Sequence, residues 1–162
     1  MNWLEEVKRV FNGISSGKEE ELRAAIRELK CTPLQIGPHV TEPKDLPYGR
    51  NVIHRTDQVE AIVIYLPPLQ STFIHDHGKS VGCAYIVQGT MVNTIYKPND
   101  RGKAEFLYEY RLNAGECFYA GPGQVHAMRN PSNKPLITFH LYSPPLQKAN
   151  RYEAEWVLDF VI

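Results

Sequence analysis

The chain is poor in the residues that mark secreted, membrane-spanning or nucleic-acid-binding proteins. Among 162 residues there are three cysteines, three methionines and two tryptophans. Cys31, Cys83 and Cys117 are odd in number and widely separated, which argues against a disulfide framework and suits reduced thiols in a cytoplasmic protein. No stretch approaches the roughly 18 to 20 consecutive apolar residues that a membrane span needs. The opening Met1–Lys8 has neither the basic start nor the apolar run of a secretory signal. Neither sign of charge predominates: Lys+Arg and Asp+Glu number 18 each, so composition offers no hold for nucleic acid or for an anionic membrane surface. There is no internal repeat and no low-complexity linker. What remains is 43% apolar and 22% charged, the composition of one soluble domain over residues 1–162 with room for a full core.

Residues 1–30 read as two helices. Trp3, Leu4, Val7, Val10 and Phe11 fall at helical spacing, and Asn2 with Glu5 forms a capping box. Gly13 interrupts, Ser15-Ser16-Gly17 signals a new start, and Leu22, Ala25, Ile26 and Leu29 continue the apolar stripe. Pro33, Pro38, Pro43 and Pro47 then exclude long helices and predict a segment crossing the surface. From about residue 45 the chain becomes short β-rich runs: 51–54, 61–65, 83–87, 94–96, 106–110, 117–120, 125–128, 137–142 and 155–158. Gly, Pro, Asn and Asp clusters divide them, a pattern that predicts a mainly β barrel or jelly roll with a helical N-terminal cover.

His75-Asp76-His77 carries the chemistry. Two imidazoles at i and i+2 on a strand project to one face, where they can grip one metal ion. Downstream come four residues and Gly82, then six residues and Gly89. Further on, Gly115 is followed after five residues by Gly121-Pro122-Gly123, after two more by His126, and after three more by Asn130. This spacing resembles the two motifs of the cupin superfamily, whose members are small double-stranded β-helix barrels. The resemblance implies that His75, His77 and His126 are metal ligands, that Gly89, Gly115 and Gly123 are turn glycines, and that Asn130 closes the motif. Gly82 stands where a cupin usually has a glutamate ligand, and Gly121 where it has a proline. Without the carboxylate a divalent ion keeps its full charge, which favours an anionic, chelating substrate such as a thiolate.

Two further stretches, Tyr48-Gly49-Arg50-Asn51 and Thr138-Phe139-His140-Leu141-Tyr142-Ser143-Pro144-Pro145, resemble the cysteine dioxygenase family in its bacterial form. That resemblance implies an iron, Fe(II), centre that adds both atoms of O2 to the thiol of L-cysteine in cysteine catabolism. Arg50 occupies the position of the family's carboxylate-binding arginine, suited to two parallel charge-assisted hydrogen bonds. Relatives acting on 3-mercaptopropionate usually carry glutamine there. Tyr48 is placed to assist as a hydroxyl donor, or simply to pack. Thr138, His140 and Tyr142 alternate along one strand and so face one way. They match the family's serine–histidine–tyrosine relay, with threonine for serine, and place the Tyr142 hydroxyl toward the reacting atoms. Animal-type members have a cysteine at the Gly82 position, joined to the tyrosine. Here Cys83 should point to the opposite strand face, so no such crosslink is expected.

The remaining candidates are weaker. His39 and His54 read as surface or packing residues, Cys31 and Cys117 as small buried apolar groups, and Asp76 as a bystander between two ligands. Tyr65 is either pocket lining or core. Two other functions remain open: dioxygenation of another small thiol (3-mercaptopropionate or cysteamine), and metal or ligand binding without catalysis. A monomer is expected on the ground that no exposed apolar stripe is left over.

Overall fold

A computed structural model describes residues 2–156. Helix α1 spans Trp3–Asn12 and α2 spans Glu19–Leu29. The Asn2 side chain accepts the Glu5 N–H and the Glu5 carboxylate accepts the Asn2 N–H, the expected capping box. Helix α2 starts differently from expectation. Its N-cap is Lys18, which caps with no side-chain hydrogen bond, while Ser15 and Ser16 instead bind the Glu21 carboxylate. The proline-rich segment holds one short helix, α3 over Pro33–Ile36, and a 3-10 turn over Gly37–His39.

Ten strands follow. They are β1 Gly49–Arg55, β2 Glu60–Leu66, β3 Ile74–His75, β4 Val81–Gln88, β5 Thr90–Pro98, β6 Ala104–Asn113, β7 Cys117–Ala120, β8 Val125–Arg129, β9 Leu136–Ser143 and β10 Arg151–Tyr152. One sheet has the order β1-β2-β9-β4-β7 and the other β10-β3-β8-β5-β6, with antiparallel pairing throughout. The expected strand over 155–158 extends beyond the described residues, and Glu155 and Trp156 themselves are not in a strand.

The central strands β2, β9 and β4 of the first sheet are buried on both faces, and each face has its own cluster. Outward-pointing Ala61, Val63, Cys83, Val87, Ile137, Phe139 and Leu141 pack with Val7, Val10, Phe11, Leu22, Ile26 and Leu29 of the two helices. Inward-pointing Ile62, Ile64, Ala84, Ile86, Leu136 and Tyr142 pack with Phe118, Ala120 and Met128 inside the barrel. Strand alternation on β2 and β9 thus serves two cores at once, and both strands read as near-continuous apolar runs. At Gly89 the chain leaves β4 of one sheet for β5 of the other. Its φ of +93° is open to glycine, and a Cβ there would lie 2.7 Å from the Pro135 carbonyl oxygen. Buried Asn130 staples the rim by donating to the carbonyls of Leu66, Pro67 and Lys134.

The ground for expecting a monomer does not hold. Phe106, Leu107 and Tyr108 are all more than half exposed on β6, an edge strand of the second sheet.

Candidate metal centre and substrate cavity

His75 lies on β3 directly opposite His126 on β8. His77 does not share the strand, as the sequence pattern led us to expect; β3 stops at His75 and His77 lies in the turn that follows. The three rings nevertheless converge, with one nitrogen from each inside a 4.8 Å sphere of mutual separation. Asp76 turns away from them. Its carboxylate accepts the N–H groups of Gly78 and Asn150, the Asn150 amide and the Tyr152 hydroxyl, all at 2.9–3.0 Å. It is therefore a clamp holding β10 to the ligand loop, more than the bystander read from the sequence.

Hydrogen bonds fix two of the three rings, while the buried His77 Nδ1 has no partner among the described residues. His126 Nδ1 donates to Asn93 Oδ1 at 2.7 Å, and His75 Nδ1 donates to the Phe73 carbonyl at 2.7 Å. Both bonds leave Nε2 as a lone-pair donor aimed inward. Asn93, wholly buried on β5, is held in turn by its amide bond to the Tyr110 hydroxyl at 2.9 Å. His126 Nε2 and His77 Nε2 stand 3.3 Å apart. Two nitrogens each about 2.1 Å from one ion lie roughly 3.0–3.4 Å apart at octahedral to tetrahedral angles, so the pair fits a shared cation. Burial pushes all three imidazole pKa values down, with His77 at about 3 and His126 well below its ordinary value; mutual repulsion adds to the effect for those two. Neutral imidazoles with converging lone pairs are a donor set for a divalent metal ion.

Behind the centre, Thr138, His140 and Tyr142 share the inner face of β9, and all are buried. Thr138 Oγ1 is 2.7 Å from His140 Nε2, and His140 Nδ1 is 3.1 Å from the Tyr142 hydroxyl. The Tyr142 ring centroid lies 5.0 Å from that of His77. Burial drives His140 down to about 3, so it is neutral, and drives the Tyr142 phenol up, so it is protonated. Gly82 is explained by the same ring: a Cβ there would sit 2.8 Å from two Tyr142 ring carbons. Cys83 belongs to the outer cluster and Tyr142 to the inner one, so the sheet itself separates them.

A cavity of about 240 Å³ opens in front of the imidazoles, bounded by Tyr48, Arg50, His75, His77, Tyr142 and Arg151 among others. Arg50 on β1 reaches toward Glu60, 3.7 Å from its carboxylate, and Arg55 approaches the same carboxylate at 3.5 Å. Glu60 is buried, and its Oε1 has no hydrogen-bond partner. Burial raises the Tyr48 pKa, while the positive charges of Arg151 and Arg50 work the other way. Arg151 lies over the Phe73 ring, its guanidinium carbon 4.0 Å from the centroid.

Arg151, Glu60 and Asn93 were not singled out in the sequence. Arg151 and Glu60 sit outside the motifs, and Asn93 reads as an ordinary strand residue. His39 packs on Trp3 and His54 on Phe11, while Tyr65 packs against the outer cluster, away from the cavity. Cys31 is buried as expected, whereas Cys117 is partly exposed.

These features define a cupin-type double-stranded β-helix with a cluster of three histidines that could hold a metal ion. An uncharacterized double-stranded β-helix protein from Klebsiella pneumoniae superposes with TM-score 0.57 at 22% identity, over 73% of this chain and 94% of its own. The cupin domain of Cnp3 from Schizosaccharomyces pombe does so at 0.54 and 13%, over 66% and 70%. At those identities the likeness concerns the fold alone. More particularly, the family model for cysteine dioxygenase type I matches residues 45–155, and the chain belongs to that family. It is 22% identical to cysteine dioxygenase type 1 of Rattus norvegicus and 23% identical to that of Bos taurus, in each case over 93% of this chain and 78% of the relative.

Proposed function

We propose that the protein is an iron-dependent dioxygenase that converts the thiolate of L-cysteine and O2 into cysteine sulfinate, both oxygen atoms going to sulfur. The observation that supports this best is the meeting, around one small cavity, of two of the three converging neutral imidazoles, His75 and His77, with a buried phenol and two guanidiniums. Family membership supports the same chemistry.

His75, His77 and His126 would hold Fe(II), which when bound would supply coordination positions for thiolate and O2 and a path for the four electrons that pass from sulfur to O2. Arg50 takes the substrate carboxylate in two parallel hydrogen bonds. Arg151, on the same cavity wall, adds positive potential and disfavours a thiol that carries only an amine, such as cysteamine. The buried Glu60 carboxylate holds Arg50 against the wall without neutralising the site, since Arg151 carries no ion pair to a carboxylate among the described residues. Tyr48 adds a hydroxyl beside the two guanidiniums.

The β9 relay directs one proton. When the Thr138 hydroxyl donates to His140 Nε2, His140 Nδ1–H donates to the Tyr142 oxygen. The phenolic proton is then free to point into the cavity. Because the phenol resists ionisation, it acts at neutral pH as a hydrogen-bond donor to developing negative charge on substrate or oxygen. Thr138 and His140 are thus positioning residues, and Tyr142 is the catalytic one.

The test is to load apoprotein with Fe(II) anaerobically, admit air with cysteine, 3-mercaptopropionate or cysteamine, and quantify sulfinate and O2 uptake. Sulfinate from cysteine in preference to the others is expected. Turnover of 3-mercaptopropionate in preference to cysteine would reassign the substrate, and no turnover of any thiol with iron bound would leave a binding protein. Arg50→Gln should lower kcat/KM for cysteine by on the order of a hundredfold, the loss of a charged carboxylate bond worth about 3 kcal/mol, and, since relatives acting on 3-mercaptopropionate usually carry glutamine there, should shift the preference toward that thiol.

A further inference from the structure

Cys83 and Cys117 lie on the helix-facing side of the first sheet, away from the metal centre. Cys83 pairs opposite Tyr119 and Cys117 opposite Tyr85, so the two are diagonal neighbours across β4 and β7. Their sulfurs are in direct contact at 2.9 Å. The two thiols differ in access. Cys83 is closed off in the outer cluster, whereas Cys117 is partly exposed at the floor of a separate cavity of about 170 Å³. That cavity is lined by Arg23, Ile26 and Arg27 of α2, with Tyr85 and Gly115. Arg23 is anchored by donating to the Cys117 carbonyl at 3.2 Å and by its pair with Glu19. Arg27 has no carboxylate partner among the described residues.

We propose that Cys117 and Cys83 are the attacking and resolving thiols of a reversible disulfide, formed by exchange with small disulfides that carry carboxylates. The guanidiniums of Arg23 and Arg27 receive the carboxylates and bring the disulfide over the Cys117 sulfur. Cys117 thiolate attacks one sulfur of RS–SR, forming Cys117–S–SR and releasing RS⁻. The Cys83 thiol loses its proton and attacks Cys117 Sγ, breaking the bond to SR and releasing a second RS⁻. Two protein thiols are oxidised by two electrons, one RS–SR is reduced, and the protons leave on two RSH.

The local electrostatics favour this division of roles. The hydrogen bond from Cys83 lowers the Cys117 pKa, with Arg23 and Arg27 adding to it against burial, while the same contact and burial raise that of Cys83. Closing a bond of about 2.05 Å asks for a small movement of two side chains already touching. Cys31, buried and pushed up to about 12 by desolvation, lacks such a neighbour and is an internal control.

The test treats the full-length protein with oxidised glutathione, quenches with N-ethylmaleimide in denaturant, and measures intact mass and peptide maps. A species carrying one N-ethylmaleimide, at Cys31, and otherwise lighter by two hydrogens, with Cys83 and Cys117 joined and full reversal by dithiothreitol, is expected. Cys83→Ser should instead accumulate one glutathionyl adduct at Cys117, and Cys117→Ser should resist modification. If Cys83→Ser does not fold, Cys83→Ala answers the same question. Arg27→Ala should slow the reaction with oxidised glutathione on the order of tenfold at low salt, and slow that with uncharged 2-hydroxyethyl disulfide much less, by only the loss of its effect on the Cys117 thiol. A persistent Cys117 adduct in the unsubstituted protein, no modification at all, or equal slowing of the two disulfides by Arg27→Ala would overturn the proposal. Because the readout is mass, it stands or falls independently of thiol dioxygenation.

Discussion

Asn93 shows what a single uncharged side chain can decide. Its carbonyl oxygen selects the His126 tautomer, and its own amide is tied to Tyr110, so the imidazole lone pair is aimed before any ion arrives. Asn93→Ala should keep the fold and weaken metal binding by on the order of 10- to 100-fold, read by competition with a chromogenic chelator. An unchanged affinity would mean that packing around His126 orients the ring without Asn93. Asp76 acts on stability. Burial works to raise its pKa, but hydrogen bonds from Asn150, Gly78 and Tyr152 outweigh it and hold the carboxyl at about 2, below its usual 3.8. A carboxyl depressed on folding contributes stability that is fully present above its unfolded pKa and is lost as pH falls through the folded one. The shift corresponds to roughly 2 kcal/mol. Denaturant titrations should therefore show this contribution above about pH 4 and its loss toward pH 2, with Asp76→Asn lacking that part of the pH dependence.

At the scale of elements, the first sheet bears two loads. Its outer face seats α1 and α2, and its inner face presents the β9 relay and the Gly82 gap that admits the Tyr142 ring. Leu22, wholly buried on α2, is far from the metal centre yet packs on the outer face of the sheet that carries the relay. Leu22→Ala should cost about 2–5 kcal/mol by chemical denaturation. Metal affinity, set by rings on β3, its following turn and β8, should be unaffected. The helices and most strands were legible from periodicity, since the sequence patterns at β2, β7, β8 and β9 predict cores within a residue or two of the observed strands. The end of β3 was not legible. The His-x-His spacing suits a strand, but the Gly78 turn and the Asp76 clamp end it after His75, and the ligand geometry survives because the loop is held by β10.

For the whole molecule, metal binding and folding are linked. The imidazoles come from β3, its turn and β8, so an ion held by all three binds the folded state alone. Loading the apoprotein with metal at a hundred times its Kd should stabilise it by about 2.7 kcal/mol, seen as a raised Tm that chelator reverses. A Tm indifferent to metal would mean the three rings do not hold an ion together. The cavity is likewise a property of the entire fold. Tyr48 arrives in the bend before β1, Arg50 on β1, Tyr142 on β9 and Arg151 on β10, and no local stretch contains the site.

Sequence by itself determined the β-rich barrel with its helical cover, the His75 and His77 pair and the alternating Thr138, His140 and Tyr142, all of which are written in local spacing. His126 and Arg50 were legible only through the resemblance to known families. Tertiary structure alone decided that Asn93 orients His126, that Glu60 backs Arg50, that Arg151 joins the cavity wall, and that Cys83 touches Cys117. Those contacts join residues on different strands, where register and sheet closure, not spacing along the chain, set the distance. The histidine pair that local spacing marked as a candidate becomes a centre only when β8 brings His126 against β3.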